Sequence, residues 1–342
     1  MRTEHLLIIR FSAIGDVAMT VPLVASLAKQ YPHLRITVLS RPFARAFFED
    51  LAPNVEFMEA DIKKEYRGVK GLNALYRRLV AKNFTAVADL HNILRSNYLR
   101  MRFNLGDFKV EHVNKHRYGK HRLVSQKNKK RVQQPTVFEN YAEVFSRLGY
   151  PVEIDFDSIF NEKEKDKDSV KKIGIAPFAA HAGKIYPIEK LKETMQIYST
   201  RHPADRYYIF CGRKNEMESA HAAFDDMPQC VFATDEVHSL KEELQLINQL
   251  DVMVSMDSAN MHLASLTATP VVSIWGATHP YAGFMGWNQS IDNAVQLDMP
   301  CRPCSIYGKK KCFRGDYACL NNILPETIAE KIEKVVYKLE NN

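Results

Sequence analysis

Asp251-Val-Met-Val-Ser-Met-Asp257-Ser258-Ala259-Asn260-Met-His262-Leu-Ala-Ser-Leu-Thr-Ala-Thr269-Pro270-Val-Val-Ser-Ile-Trp-Gly276 is the stretch that decides the fold of this chain. Residues 252–255 have the apolar content of a buried strand. Asp257, Ser258 and Asn260 are helix-capping types, placed where that strand would turn into a helix. Residues 261–266 continue with helical apolar spacing, and Thr269-Pro270 breaks the helix. Residues 271–275 then start another strand, stopped by Gly276. A strand whose polar end opens a helix presents free backbone N–H groups and the positive end of the helix dipole, which together cradle anions. An ordinary capped helix in an α/β domain would use the same residues.

Outward from this stretch the same alternation recurs. Upstream, residues 173–176 read as a strand, 177–184 as a polar loop, 188–200 as a helix, 207–211 and 230–233 as strands, and 240–250 as a helix. Nearer the N-terminus, strands are expected at 6–11, 36–39, 55–58 and 85–90. Helices are expected at 17–31 (with Pro22 close to the first turn), 43–51, 72–81 and 135–148. Two successive βαβ arrays predict an α/β protein of two Rossmann-like domains with a cleft between them. The expected boundaries are 1–160 for the first domain, 161–170 for a charged linker around Glu162-Lys-Glu-Lys-Asp-Lys-Asp168, and 171–323 for the second domain. The last segment, 324–342, is a helix expected to pack back across the first domain. Ligands of such sheets sit beyond the carboxyl ends of the strands, where Asp16, Asp89, His91 and Arg95 fall.

A chain of 342 residues exceeds one comfortable core, and 46% hydrophobic with 25% charged residues is a globular balance. No apolar run approaches the roughly 18 residues of a membrane span, and residues 6–9 are too short a run for a signal peptide, so a cytoplasmic location is expected. The net charge of +7 favours an anionic partner. Residues 109–131 concentrate it: Lys115, Arg117, Lys120, Arg122, Lys127, Lys129, Lys130 and Arg131 stand against the single acid Glu111. This run is either a solvated loop or a patch for phosphates or an anionic membrane face. Tyr118 is its one aromatic residue, which argues against base stacking and nucleic acid.

Four motifs, in order along nearly the whole chain, resemble the ADP-heptose:lipopolysaccharide heptosyltransferases, glycosyltransferase family 9. They are Arg10-Phe-Ser-Ala-Ile-Gly15-Asp16-Val with Thr20-Val-Pro22-Leu; Asp89-Leu-His-Asn-Ile-Leu-Arg95-Ser96; Lys184-Ile-Tyr186-Pro187; and Asp257-Ser-Ala-Asn-Met-His262-Leu-Ala with Thr269-Pro-Val-Val and Trp275-Gly276. Ala259 stands where the family usually has glycine, and Tyr186 where it has tryptophan. The resemblance implies a GT-B fold and an inverting, metal-independent transfer with no required cofactor. It implies an ADP-sugar donor in the second domain and a lipopolysaccharide core on lipid A as acceptor for the first. The enzyme would then lie peripherally on the cytoplasmic face of the inner membrane.

It also implies roles for individual residues. Asp16 would be the base that takes the acceptor proton, a helix N-cap being its competing role. Lys184 would neutralise the departing diphosphate. Ala179, Ala180, His181, Glu216, His238, Asp257, Ser258, Ala259, Asn260 and His262 would surround the donor; a structural role competes for His262. Gly15, His91 and Arg95 would meet the acceptor, a planar guanidinium suiting a carboxylate or phosphate. Asp155-Phe-Asp157 spells the Asp-x-Asp of metal-dependent transferases, but its place beside the linker marks it as accidental. Cys301, Cys304, Cys312 and Cys319 could hold a structural zinc or an iron–sulfur cluster, or remain metal-free thiols. A nicotinamide-dependent oxidoreductase would need Gly-x-Gly-x-x-Gly after the first strand, which residues 10–16 do not spell. Two further alternatives are a non-catalytic phosphoglycolipid-binding protein and a family member with another sugar or polysaccharide.

Overall fold

A computed structural model of the chain describes residues 4–106, 108–160, 170–212 and 214–337. The charged run read as a linker lies almost wholly on 161–169, outside the described residues. The chain divides into two compact units, Met1–Lys115 with Thr136–Ile159, and His116–Pro135 with Phe160–Asn342.

In the first unit, β1 (His5–Ile9), β2 (Arg35–Ser40), β3 (Val55–Glu59), β4 (Ala86–Asp89) and β5 (Lys109–His112) form a wholly parallel sheet in the order β3-β2-β1-β4-β5. The central β1 is buried along its full length, which is why it reads as an unbroken apolar run. Its one polar residue, His5, is satisfied by Thr37 Oγ1 at 2.8 Å and the Lys82 carbonyl at 3.2 Å. The strand order reverses between β1 and β4, so the turns after these two strands flank the topological switch point. The expected helix at 17–31 is two helices, Ile14–Ala18 and Val21–Gln30. Thr20 breaks the run, its hydroxyl donating to the Val17 carbonyl at 2.7 Å, and Pro22 fits the first turn of the second helix. Helix Val137–Leu148 carries its own stop signals: a Thr136/Glu139 capping box at one end and Gly149 at φ +95° at the other.

The second unit repeats the winding. β6 (Lys172–Ala176), β7 (Arg206–Ile209), β8 (Cys230–Phe232), β9 (Val252–Met256), β10 (Val271–Ile274) and β11 (Ala294–Val295) run parallel in the order β11-β10-β9-β6-β7-β8. Its order reverses between β6 and β9.

One expectation is corrected here. The C-terminal helix, Pro325–Tyr337, packs in the second unit. Ile328, Ala329 and Ile332 bury with Leu191, Met195 and Tyr198 in that unit's core. Arg201–Glu333 at 2.8 Å and the Tyr337 hydroxyl on Asp205 at 3.1 Å fasten its outer edge. The apolar stripe of this helix matches helix Ile188–Arg201, so the second sheet claims it. The basic run, read as either a solvated loop or an anion patch, divides between the two units. Lys109–His112 is β5, and residues from His116 belong to the second unit. There Lys129 donates to the Cys301 and Pro303 carbonyls, both at 2.7 Å, and Arg131 pairs with Asp298 at 2.8 Å. The Lys120 ammonium sits 4.4 Å from the centroid of the Phe284 ring, and the Gln134 N–H donates to the Tyr281 carbonyl. Arg117, Tyr118, His121, Lys127 and Lys130 remain exposed. Among the described residues, no helix is long and apolar enough to cross a membrane.

Candidate active site

At the first switch point the chain leaves β1 through Arg10, a buried guanidinium. Nη1 donates to the Leu90 carbonyl at 2.7 Å, and Nη2 lies 2.9 Å from Asp16 Oδ2. The same Asp16 oxygen accepts from the Ala13 N–H at 3.0 Å. Asp16 therefore caps helix Ile14–Ala18 and is clamped by Arg10 at once, while its side chain stays 37% exposed. A cap and a base are compatible here, because an accessible carboxylate held from one side still presents an oxygen to a ligand.

His91 lies beside this pair. It is buried, and its Nδ1 accepts from the Phe11 N–H at 3.4 Å, which places the ring proton on Nε2. Burial, with the Arg10 and Lys115 charges, pushes its pKa down to about 3, so it is a neutral imidazole at physiological pH. Asp89 is fully buried and builds the turn: one oxygen accepts from the His91 and Asn92 N–H groups at 2.9 Å, and the other faces Arg100 at 3.3 Å. Gly15 is buried beside Asp16, and Arg95 stands exposed in the first turn of helix Leu94–Asn104.

At the second switch point, the loop after β6 carries Ala179, Ala180 and His181 into a short 3-10 turn, Ala182–Lys184. Lys184 Nζ reaches the residue after β9, lying 2.8 Å from Asp257 Oδ2 and 3.0 Å from the Asp257 carbonyl. The sequence reading gave Lys184 to the diphosphate and Asp257 to sugar hydroxyls; the structure bonds them to each other. Tyr186 anchors the loop from below, buried with its hydroxyl on the Ile323 carbonyl at 3.0 Å. Ser258 is the N-cap of helix Ala259–Leu266 but makes no side-chain cap bond; its hydroxyl meets Ser255 Oγ at 3.2 Å instead. The helix N–H groups at Ala259 and Asn260 are thus left uncapped by that side chain, as an anion cradle requires. His262 is buried within this helix. Glu216 accepts from the Gly212 N–H at 3.1 Å and closes the turn after β7. His238 is exposed after β8. Both stand at the carboxyl edge of the same sheet.

Cys301, Cys304, Cys312 and Cys319 line one cavity, together with Arg302, Arg314 and Asp316. All four are free thiols, and burial pushes Cys319 up to about 11. The convergence expected from their spacing is present. Among the described residues, no group of three or more cysteine, histidine or acidic side chains is arranged to hold a metal ion. Cys312 instead faces Asp316. Asp155 of the Asp-x-Asp pairs with Lys29 and donates its N–H to Ser26 Oγ at 2.9 Å, a structural use.

Comparison with known proteins follows from this geometry. Residues 72–312 match the model of glycosyltransferase family 9 (heptosyltransferase). The chain belongs to this family. It is 25% identical over 290 residues to the lipopolysaccharide core heptosyltransferase OpsX of Haemophilus influenzae, covering 81% of this chain and 80% of that protein. It is 23% identical to lipopolysaccharide heptosyltransferase 1 of Campylobacter coli, covering 96% and 98%. In structure it resembles a family 9 glycosyltransferase of Veillonella parvula (TM-score 0.74, 18% identity, 99% of both chains). It also resembles the E. coli heptosyltransferase WaaC solved with ADP (TM-score 0.68, 18% identity, 97% and 99%). The two parallel-sheet units are therefore those of a GT-B glycosyltransferase.

Three residues of this family 9 enzyme escaped the sequence reading. Arg10 was quoted in a motif without a role, although a charge ending a wholly apolar strand was the available signal. Arg302 is buried and donates to the Trp275, Gly276 and Thr278 carbonyls, fixing the loop after β10. Gly308 lies against Lys184 and gave no signal at all.

Proposed function

We propose that this glycosyltransferase moves a heptose, or a related sugar, from an ADP-sugar to the inner core of a lipopolysaccharide, inverting the anomeric carbon and using no divalent ion. The observation that carries the reading is the Lys184–Asp257 pair at the second switch point, beside the uncapped start of helix Ala259–Leu266. The relative named as a lipopolysaccharide core heptosyltransferase, and the resembling structure solved with ADP, support this choice of donor and acceptor.

The roles divide between the units. In the first, the Asp16 carboxylate, fixed by Arg10, accepts the proton of the acceptor hydroxyl as its oxygen attacks the anomeric carbon from the face opposite the nucleotide. Gly15 and neutral His91 shape the same edge, and Arg95 meets an anionic group of the acceptor. In the second, Lys184 and the N–H groups at Ala259 and Asn260 take up the charge of the leaving ADP. Asp257 orients Lys184 and accepts from the sugar, and Ala179, Ala180 and His181 line the diphosphate. Glu216 and His238 lie toward the nucleoside. The exposed basic side chains at 117–130 would hold the enzyme peripherally against the anionic cytoplasmic face of the membrane that carries the acceptor.

The test is thermal stabilisation by a panel of nucleotide-sugars, followed by transfer assays on Asp16→Asn. ADP-linked heptose raises the melting temperature and UDP-linked sugars do not. The variant still binds ADP but transfers nothing. Turnover within a few-fold of the wild type would remove Asp16 as the base.

A further inference from the structure

The donor site as assigned is short of positive charge. Lys184 is already bonded to the Asp257 carboxylate at 2.8 Å, so the pair brings no net charge to a diphosphate whose phosphates are both ionised. Lys129 and Arg302, two neighbouring cations, are committed to carbonyl oxygens. The helix N–H groups at Ala259 and Asn260 then face most of the leaving charge, and a further cation nearby would share it.

The loop bearing the four cysteines supplies one. Its residue Gly308 adopts φ +74°, where side chains are strained, and a methyl group there would lie 2.7 Å from Lys184 Cγ and 3.2 Å from Cδ and Cε. The loop backbone therefore lies along the whole Lys184 stem. A methyl group on Gly183 would in turn lie 3.0 Å from the Gly308 carbonyl. The next residue, Lys309, is exposed and opens the run Lys309-Lys310-Lys311. As the neighbour of Gly308, Lys309 stands at the same turn as Lys184, and after burial its charge, with that of Lys184, holds the His181 pKa below its ordinary value.

We propose that Lys309 is a second diphosphate ligand, delivered to the donor site by the cysteine-lined loop and placed there by the packing of Gly308 on Lys184. The proposal rests on the reading that the second unit holds a nucleoside-diphosphate sugar. With Lys184 oriented by Asp257, Lys309 supplies the uncommitted charge that the departing phosphates meet. The preceding glycine is what lets the backbone come close enough.

The experiment is calorimetric titration of ADP, AMP and adenosine into the full-length wild type, Lys309→Gln, Lys309→Arg and, as a control, Lys70→Gln at an exposed lysine of the first unit. Lys309→Gln is expected to weaken ADP by about tenfold or more, the usual effect of losing a bond to a charged group. AMP should weaken less, and adenosine should not change. Lys309→Arg keeps ADP within about threefold, because charge and reach are retained, and Lys70→Gln matches the wild type. The salt dependence of ADP binding should also flatten in Lys309→Gln alone. Equal ADP affinity in wild type and Lys309→Gln overturns the inference and leaves the donor reading standing. A wild type that binds adenosine and ADP equally, or neither, overturns the donor reading and the inference with it.

Discussion

Arg10→Met is the substitution that most directly tests how the first unit works. Methionine keeps much of the volume but removes both bonds, to the Leu90 carbonyl at 2.7 Å and to Asp16 at 2.9 Å. A bond to a charged donor contributes about 1.5–3 kcal/mol, and breaking a buried pair costs about 3–5 kcal/mol. Asp16 is 37% exposed, so water screens its half of the pair and the larger figure has to be discounted. About 2–4 kcal/mol remains, most of it at the buried Leu90 carbonyl. For a unit of this size that is a fall of roughly 6–12 °C in melting temperature. Activity should suffer more than stability. Asp16 keeps its Ala13 cap bond but loses the contact fixing its second direction, and a misplacement of about 1 Å costs on the order of a hundredfold in rate. The assay is kcat for sugar transfer well below the melting temperature, with Arg10→Lys beside it. Lysine keeps the charge and one acceptor, so an intermediate loss in kcat with little change in KM is expected. If Arg10→Met lost several degrees of stability yet turned over within threefold of the wild type, Asp16 would need no positioning and the clamp would be a folding device only.

Asp257→Asn removes a negative charge beside the diphosphate while leaving Lys184 an oxygen acceptor, so ADP should bind at least as tightly as to the wild type while transfer falls; weaker ADP binding would mean that the carboxylate does not offset Lys184 at the diphosphate. His91 has a folded pKa of about 3 against 6.5 when unperturbed, so the unfolded chain binds the proton first and stability falls as pH drops from about 6.5 towards 3. His91→Gln should flatten that acid limb in urea unfolding across the pH range, and an unchanged slope would count against a buried neutral ring. Arg302→Met leaves the Trp275, Gly276 and Thr278 carbonyls without their donor, a loss of about 3–5 kcal/mol that circular-dichroism melting would detect as about 10 °C in the second unit.

Strands buried on both faces were legible because burial leaves a continuous apolar run: β1, β9 and β10 lie within a residue or two of their expected places. Lys109–His112 was not, since an edge strand exposed on one side carries no such run and its lysine, glutamate and histidine read as part of a basic segment. Helix Leu94–Asn104 hid for a similar reason, its arginines and asparagines diluting any apolar stripe. Both halves of the site were visible as polar residues closing apolar strands. What no linear pattern could reveal was the partnering: Lys184 with Asp257, Arg10 with Asp16, and a glycine of the cysteine loop laid along a lysine stem. The Lys184–Asp257 contact follows from β6 and β9 becoming neighbours where the strand order reverses, whereas Arg10–Asp16 is set by the shape of one turn.

The passage of residues 116–135 into the second unit has a consequence for how the polypeptide is made and cut. A ribosome releases this strap long before residues 281–303, onto which it docks, exist. The first unit must therefore be completed by Thr136–Ile159 across an excursion that waits, unmatched, for the rest of the molecule. Dividing the gene near codon 160 would strand the strap on the wrong fragment, leaving one product with an unmatched basic loop and the other missing part of its own surface. Halves meant to live separately would have to carry 116–135 grafted onto the C-terminal piece.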